Sequence, residues 1–231
     1  MPQQMKFDIP ARPALGRGDF YVTESNAVAL GLVDTWPEWP AGKLLLVGPH
    51  GSGKTHLAHV WCTESGGKMV ASRDLAQADV PALCDGPVCI EDVERVAGDP
   101  AAEEALFHVH NLALSNGQTV LMTAATTPSS WTMNLPDLAS RMIATTVAKL
   151  TPPDDILLSA VLAKLFADRQ IVPLADVIPY LVRWMPRSFA AAGQVVAHLD
   201  KAALGTPKGV TRSLARIALA ELEFPDETAP D

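Results

Sequence analysis

The residues best suited to chemistry are Gly48-Pro49-His50-Gly51-Ser52-Gly53-Lys54-Thr55. Their types and spacing fit G-x-x-x-x-G-K-[ST], the pattern that wraps a polyphosphate. Glycines let the backbone turn tightly and approach anionic oxygens without a side chain in the way. The loop's N–H groups and the positive end of a following helix then hold those oxygens. Lys54 would reach the β/γ-phosphates, and the Thr55 hydroxyl would take one position on Mg²⁺. Gly48 to His56 is therefore the expected binding segment for ATP or ADP. The structural alternative is a glycine-rich hairpin.

A phosphate loop needs a carboxylate at the end of a neighbouring strand to hold the metal. Ile90-Glu91-Asp92 supplies one: Glu91 or Asp92 would bind Mg²⁺ through water, and the other could orient the attacking water. The same pair could simply cap a helix. Two arginines belong to the same chemistry. Arg187, in Trp184-Met185-Pro186-Arg187-Ser188-Phe189, could contact the γ-phosphate from a lid. Arg141, in Leu135-Pro136-Asp137-Leu138-Ala139-Ser140-Arg141, could enter a neighbouring subunit's site as an arginine finger. A solvated salt bridge is the plain reading of either.

These groups need a scaffold. Lys43–Val47 reads as a buried strand leading into the loop, and Thr55–Trp61 as a helix leaving it. Further strands are expected at Lys68–Ala71, Pro87–Ile90, Thr119–Thr123 and Thr145–Lys149. Apolar runs without alternation are the mark of parallel strands covered on both faces. Helices are expected at Asn26–Asp34 with Ser25 as N-cap, weakly at Asp74–Ala78, from Asp99-Pro100 to Asn116, and around Pro136–Met142. Phe20, Tyr21 and Val22, just upstream, could pack on a nucleotide base. Beyond Pro152-Pro153 the pattern is helical only: Asp154–Asp168, Pro173–Arg183, Pro186–Ala203 and Thr211–Leu222. The expected organisation is a flexible tail (1–18), an α/β core with a parallel sheet (19–150), a small all-α lid (151–224) and a short tail (225–231).

Composition bounds the partners. The chain has 231 residues, 48% hydrophobic and 19% charged, enough for a sizeable core. No apolar run approaches the about 18 residues that span a bilayer, and no signal peptide is expected, so no membrane partner is implied. Cys62, Cys84 and Cys89 share no metal-ligand spacing, which suits a reduced, cytoplasmic chain. A net charge of −8 argues against gripping DNA over a wide face, so DNA is expected only indirectly, through a partner.

Taken together, these segments resemble the AAA+ ATPases of the DnaA clade, and most closely the Hda-type regulatory inactivators of DnaA. The resemblance rests on Asp19-Phe20-Tyr21-Val22 with Ser25-Asn26, Gly48–Thr55, Val88–Glu94 with Ala97-Gly98-Asp99, Leu135–Arg141 and Arg187, spanning about residues 19–222. It implies a P-loop AAA+ sheet with a helical lid. No initiator-type DNA-binding helix-turn-helix is expected, because the chain stops soon after Leu222. Gln4-Met5-Lys6-Phe7-Asp8-Ile9 is similar to the peptide by which such proteins hold the sliding clamp, the DNA polymerase III β subunit. Gln4, Met5, Phe7 and Ile9 are thus the expected partner contacts. The implied activity is negative regulation of replication initiation: with the DNA-loaded clamp, Arg141 would promote hydrolysis of DnaA-bound ATP. The chain's own nucleotide, usually ADP in this family, would be structural, and a homo-oligomer is compatible with the same composite sites.

The sequence also departs from the family. Glu91 stands where Asp is usual, and Asp92 replaces the usual catalytic glutamate. The polar sensor position falls near Ala125, with Thr123, Thr126 or Thr127 as substitutes. Weak intrinsic hydrolysis with intact nucleotide binding is expected. The rival readings are a small-molecule kinase, a DnaA-like ATPase or helicase loader acting directly on DNA, and an interaction module without nucleotide.

Overall fold

The computed structural model describes residues 21–203 and 209–224. Five parallel strands form one sheet: β1 (Lys43–Val47), β2 (Lys68–Ala71), β3 (Val88–Glu91), β4 (Val120–Ala124) and β5 (Thr146–Lys149). Their order across the sheet is β2-β3-β4-β1-β5. Lys43 pairs with Val120 and Leu44 with Thr146, so the strands start along one edge.

Side chains alternate along a strand, and both faces here are covered. Leu44, Leu46, Cys89, Leu121 and Ala148 join helix α2 (Lys54–Ser65) through Leu57, Ala58 and Trp61, with Ala29 and Val33 of α1 (Ala27–Asp34). Leu45, Val47, Ile90, Val120 and Met122 join Leu106 and Val109 of α4 (Pro100–Ser115) and Leu138 of α5 (Pro136–Ile143) on the other face. The short α3 (Val80–Leu83) lies alongside α4. Helices α6 (Asp155–Asp168), α7 (Val177–Trp184), α8 (Phe189–Ala203) and α9 (Arg212–Glu221) bury a separate cluster around Leu158, Leu162, Phe166, Leu181 and Val196. This arrangement is a parallel α/β layer followed by a small helical layer, the expected fold class. Among the described residues no helix is long and apolar enough to cross a membrane.

Several local expectations change. Ser25 does not cap α1; Asn26 sits at that position, and its amide turns back to accept from Thr23 N–H (2.9 Å) and donate to the Tyr21 carbonyl (2.8 Å). The weak helix near Asp74–Ala78 is a 3-10 segment, Ser72–Gln77. Helix α7 starts at Val177 and not at Pro173; in the segment before it, Leu174 N–H donates to the Val210 carbonyl (3.1 Å), just ahead of α9.

One buried acid organises the segment before α5. Glu103, on α4, is fully buried; its carboxylate accepts from the N–H groups of Gly98 (2.9 Å), Asn134 (2.8 Å) and Leu135 (2.9 Å). Burial alone would raise its pKa, but these donors win and hold the carboxyl below its usual value. A depressed acid contributes stability above its unfolded pKa and loses it as pH falls through the folded one. Glu103→Ala leaves buried N–H groups without partners and is expected to cost about 3 kcal/mol in denaturant unfolding. The loss should shrink towards acid pH; a pH-independent difference would contradict the charged assignment.

Candidate functional site

The loop from Gly48 to Gly53 joins β1 to α2 at the C-terminal edge of the sheet. Gly51 (φ 74°) and Gly53 (φ 97°) take the left-handed conformation that side chains disfavour. An α-helix leaves its first N–H groups without intrahelical partners, and α2 opens directly from the loop at Lys54. Lys54 is buried and donates to the carbonyls of Gly48 (2.7 Å) and Pro49 (3.0 Å). Burial lowers its pKa, while Glu94, Asp92 and Glu91 act in the opposite direction. The buried Ser52 Oγ has no hydrogen-bond partner among the described residues. Thr55 and His50 are exposed and His56 is half-buried. Left-handed glycines, a buried ammonium and an orphaned hydroxyl fit an anionic ligand such as a polyphosphate.

Strand β4 lies between β1 and β3, so the ends of the latter two stand about 10 Å apart. Glu91 ends β3 and is half-buried. Asp92 follows in the left-handed region (φ 52°), exposed, with Arg95 at 4.0 Å. Its N–H donates to the hydroxyl of buried Thr123 (3.0 Å). The carboxylate turned inward is Glu94. One oxygen accepts from Ala125 N–H (2.7 Å), and the other is buried without a partner among the described residues. Burial pushes the Glu94 pKa up, against that hydrogen bond and the Lys54 charge. Nothing in the local pattern marks Glu94 out, since its orientation depends on the end of β4. The remaining sensor candidates are engaged locally, Thr126 with Trp131 Nε1 and Thr127 with Ser129.

The lid meets the loop directly. Phe189 N–H donates to the Gly51 carbonyl (3.0 Å), so α8 starts at Phe189 and not at Pro186. A Cβ at Gly51 would lie 1.9 Å from Ser188 Oγ, and one at Gly53 would lie 2.9 Å from the Phe189 ring. Gly51→Ala is therefore expected to unseat the lid and lower the melting temperature through strain of about 1–3 kcal/mol. An unchanged melt would refute the contact. Arg187, two residues before α8, ion-pairs with Asp155 and donates to the Pro153 carbonyl (3.0 Å). It borders an open cleft of about 850 Å³ with Val22, Thr23, Pro152, Pro153 and Ile156, a volume in the range of small-molecule sites. Tyr21 and Val22 are exposed. Ile156 and Pro153 are cleft residues that the sequence did not single out. Phe20, Gln4, Met5, Phe7 and Ile9 lie outside the described residues.

Arg141 is elsewhere. Its carbonyl accepts from Lys43 Nζ (2.7 Å), at the first residue of β1. Lys43 and Val47 are about 13 Å apart along the strand, and the loop begins one residue further. Arg141 thus sits at the N-terminal edge of the sheet, away from the Gly48–Gly53 loop. The guanidinium holds Asp137 Oδ2 (2.9 and 3.0 Å) and Asn111 Oδ1 (3.1 Å) and lies 5.2 Å from the Phe107 ring.

No family model matches the sequence. Among solved structures the chain is similar to domain III of the Thermotoga maritima replication initiation protein DnaA: TM-score 0.77, 18% identity, covering 92% of this chain and 98% of that one. It is also similar to AMPPCP-bound DnaA from Aquifex aeolicus, with TM-score 0.66, 18% identity and coverage of 86% and 68%. A third likeness is to the Thermotoga maritima RuvB Holliday junction branch migration motor, with TM-score 0.62, 18% identity and coverage of 81% and 64%. At such identities the likeness speaks for the backbone and not for the residues. The chain has the AAA+ fold of the DnaA module.

Proposed function

We propose that the chain is a nucleotide-binding AAA+ regulator of replication initiation that promotes hydrolysis of DnaA-bound ATP. The observation that carries this reading is the place of Arg141. A finger at the sheet edge opposite its own loop can serve only a nucleotide held by another subunit. The DnaA-clade resemblance of Val88–Glu94 and Leu135–Arg141, beside the shared backbone fold, supports DnaA as the partner.

In the chain's own site, Gly48–Thr55 holds the phosphates of ADP or ATP, and the cleft beside Val22, Ile156 and Arg187 takes the nucleoside end. Thr55 with Glu91 or Asp92 holds Mg²⁺, which supplies charge neutralisation on the phosphates when bound. Lys54 exchanges its loop carbonyls for phosphate oxygens. Glu94 turns its half-satisfied carboxyl inward, and its charge and that of Lys54 favour each other. Asp92 is short and exposed, and Thr123 is engaged by the Asp92 N–H; both support weak intrinsic hydrolysis. Gln4–Ile9 recruits the clamp, a role supported by the Gln4-Met5-Lys6-Phe7 sequence alone.

The test is hydrolysis of ATP preloaded on DnaA, with and without this chain and the DNA-loaded clamp. Acceleration that needs both supports the reading, and none with either would end it. Clamp titration with a Gln4→Ala/Phe7→Ala variant checks the tail separately; binding equal to the unaltered chain would remove the clamp assignment. DNA titration at low salt separates this reading from an ATPase acting directly on DNA, since net charge −8 predicts no direct affinity.

A further inference from the structure

Beneath Arg141 lies a set of buried polar groups that the proposed function does not use. Lys43, on β1, is 5% exposed, and His110, on α4, is 3% exposed. Buried ammonium and imidazole groups side by side are unusual, because each disfavours charge on the other. Lys43 Nζ donates to the Arg141 carbonyl at 2.7 Å and lies 3.2 Å from His110 Nε2. Burial and then the Arg141 charge lower the Lys43 pKa; with Lys43 charged, its ammonium can only donate, which gives Nε2 the acceptor role and leaves the imidazole neutral. The ring proton then sits on Nδ1, which faces Asn111 Oδ1 at 3.4 Å. The same Asn111 oxygen accepts from Arg141 Nη1 at 3.1 Å. A ring is thereby closed: Arg141 main chain, Lys43, His110, Asn111 and back to the Arg141 guanidinium. The Thr145 hydroxyl also donates to the Arg141 carbonyl (2.9 Å), and Asp137 grips the guanidinium from the preceding turn.

We propose that Lys43 and His110 are positioning residues for Arg141, holding its main chain and its guanidinium at once through this ring. The inference rests on the reading of Arg141 as a finger acting on a partner's nucleotide. Lys43 fixes the carbonyl of the last turn of α5, and His110 orients the Asn111 amide oxygen that steers the fork. Neither touches nucleotide. A finger works only when its fork reaches the partner's phosphate in one orientation, so loosening the ring should lower the turnover of the docked complex and leave docking intact.

The ring also requires a neutral imidazole. Burial first, then the charges of Lys43 and Arg141, push the His110 pKa below its usual value, while the Asn111 hydrogen bond and the Asp137 charge act the other way. Protonation would set an Nε2–H against the Lys43 ammonium and open the ring. Activation should therefore fall on the acid side of the ordinary histidine range.

The experiment measures single-turnover hydrolysis of ATP preloaded on DnaA, titrated with the unaltered chain and with Lys43→Met, His110→Gln and Arg141→Ala across pH 5 to 8. Affinity for the chain's own nucleotide serves as the folding control. Lys43→Met is expected to lower the maximal rate about 10-fold or more at unchanged half-saturation. His110→Gln should lower it less and flatten the acid limb, and it carries the test by itself if Lys43→Met does not fold. If Arg141→Ala abolishes activation while both other folded variants keep the full rate and the acid limb, the ring is structural and the proposal is overturned. If Arg141→Ala activates normally, the finger reading fails, and the positioning role fails with it.

Discussion

Arg141→Ala is expected to reduce hydrolysis of DnaA-bound ATP by on the order of 10³-fold, the low end for an arginine finger. The charge that develops on the transferring phosphoryl group needs a planar, permanently charged fork, which lysine does not reproduce. Arg141→Lys should therefore be nearly as inactive. Neither change should alter the fold much, because the Asp137 pair is largely exposed and worth about 1 kcal/mol or less. Binding of the chain's own nucleotide should stay as it was, since Arg141 stands at the opposite edge of the sheet. Undiminished hydrolysis with either variant would remove Arg141 from the reaction.

Lys54→Ala should weaken the chain's own ADP or ATP binding by on the order of 100-fold, as a charge-assisted hydrogen bond is worth about 1.5–3 kcal/mol. The buried ammonium already sits among the loop carbonyls, so little reorganisation is needed to present it to phosphate. Removing it also leaves the Gly48 and Pro49 carbonyls without their donor. A melt of the nucleotide-free protein is therefore needed beside the titration. A folded variant with unchanged nucleotide affinity would exclude Gly48–Thr55 as the phosphate site. The two variants are distinguishable: the first silences the partner's reaction, and the second empties the chain's own site.

Much of the fold was legible because its signals are local. The strand at Lys43–Val47 occurs as expected, since a strand covered on both faces needs a continuous apolar run; the edge strand Lys68–Ala71 also occurs, only partly buried. Asp99 caps α4 ahead of Pro100, as that residue order implies. The later starts of α7 and α8 both lie beside long-range main-chain bonds. The Leu174 and Phe189 N–H groups are taken by carbonyls of Val210 and Gly51, which no local pattern reveals.

The sequence by itself determined the parallel α/β architecture and the left-handed glycine loop between β1 and α2, because glycine spacing and apolar runs act over a few residues. Only the tertiary structure decided which way the chemistry faces. Glu94 turns inward because Ala125, 31 residues away, offers an N–H. Arg187 is held by Pro153 and Asp155 at the start of α6. Arg141 is set against Lys43, 98 residues away, because the parallel strands β1 and β5 start side by side and bring α5 to that edge. A polar side chain takes its direction from the donors and acceptors that burial leaves within reach, and these are fixed only when distant segments pack.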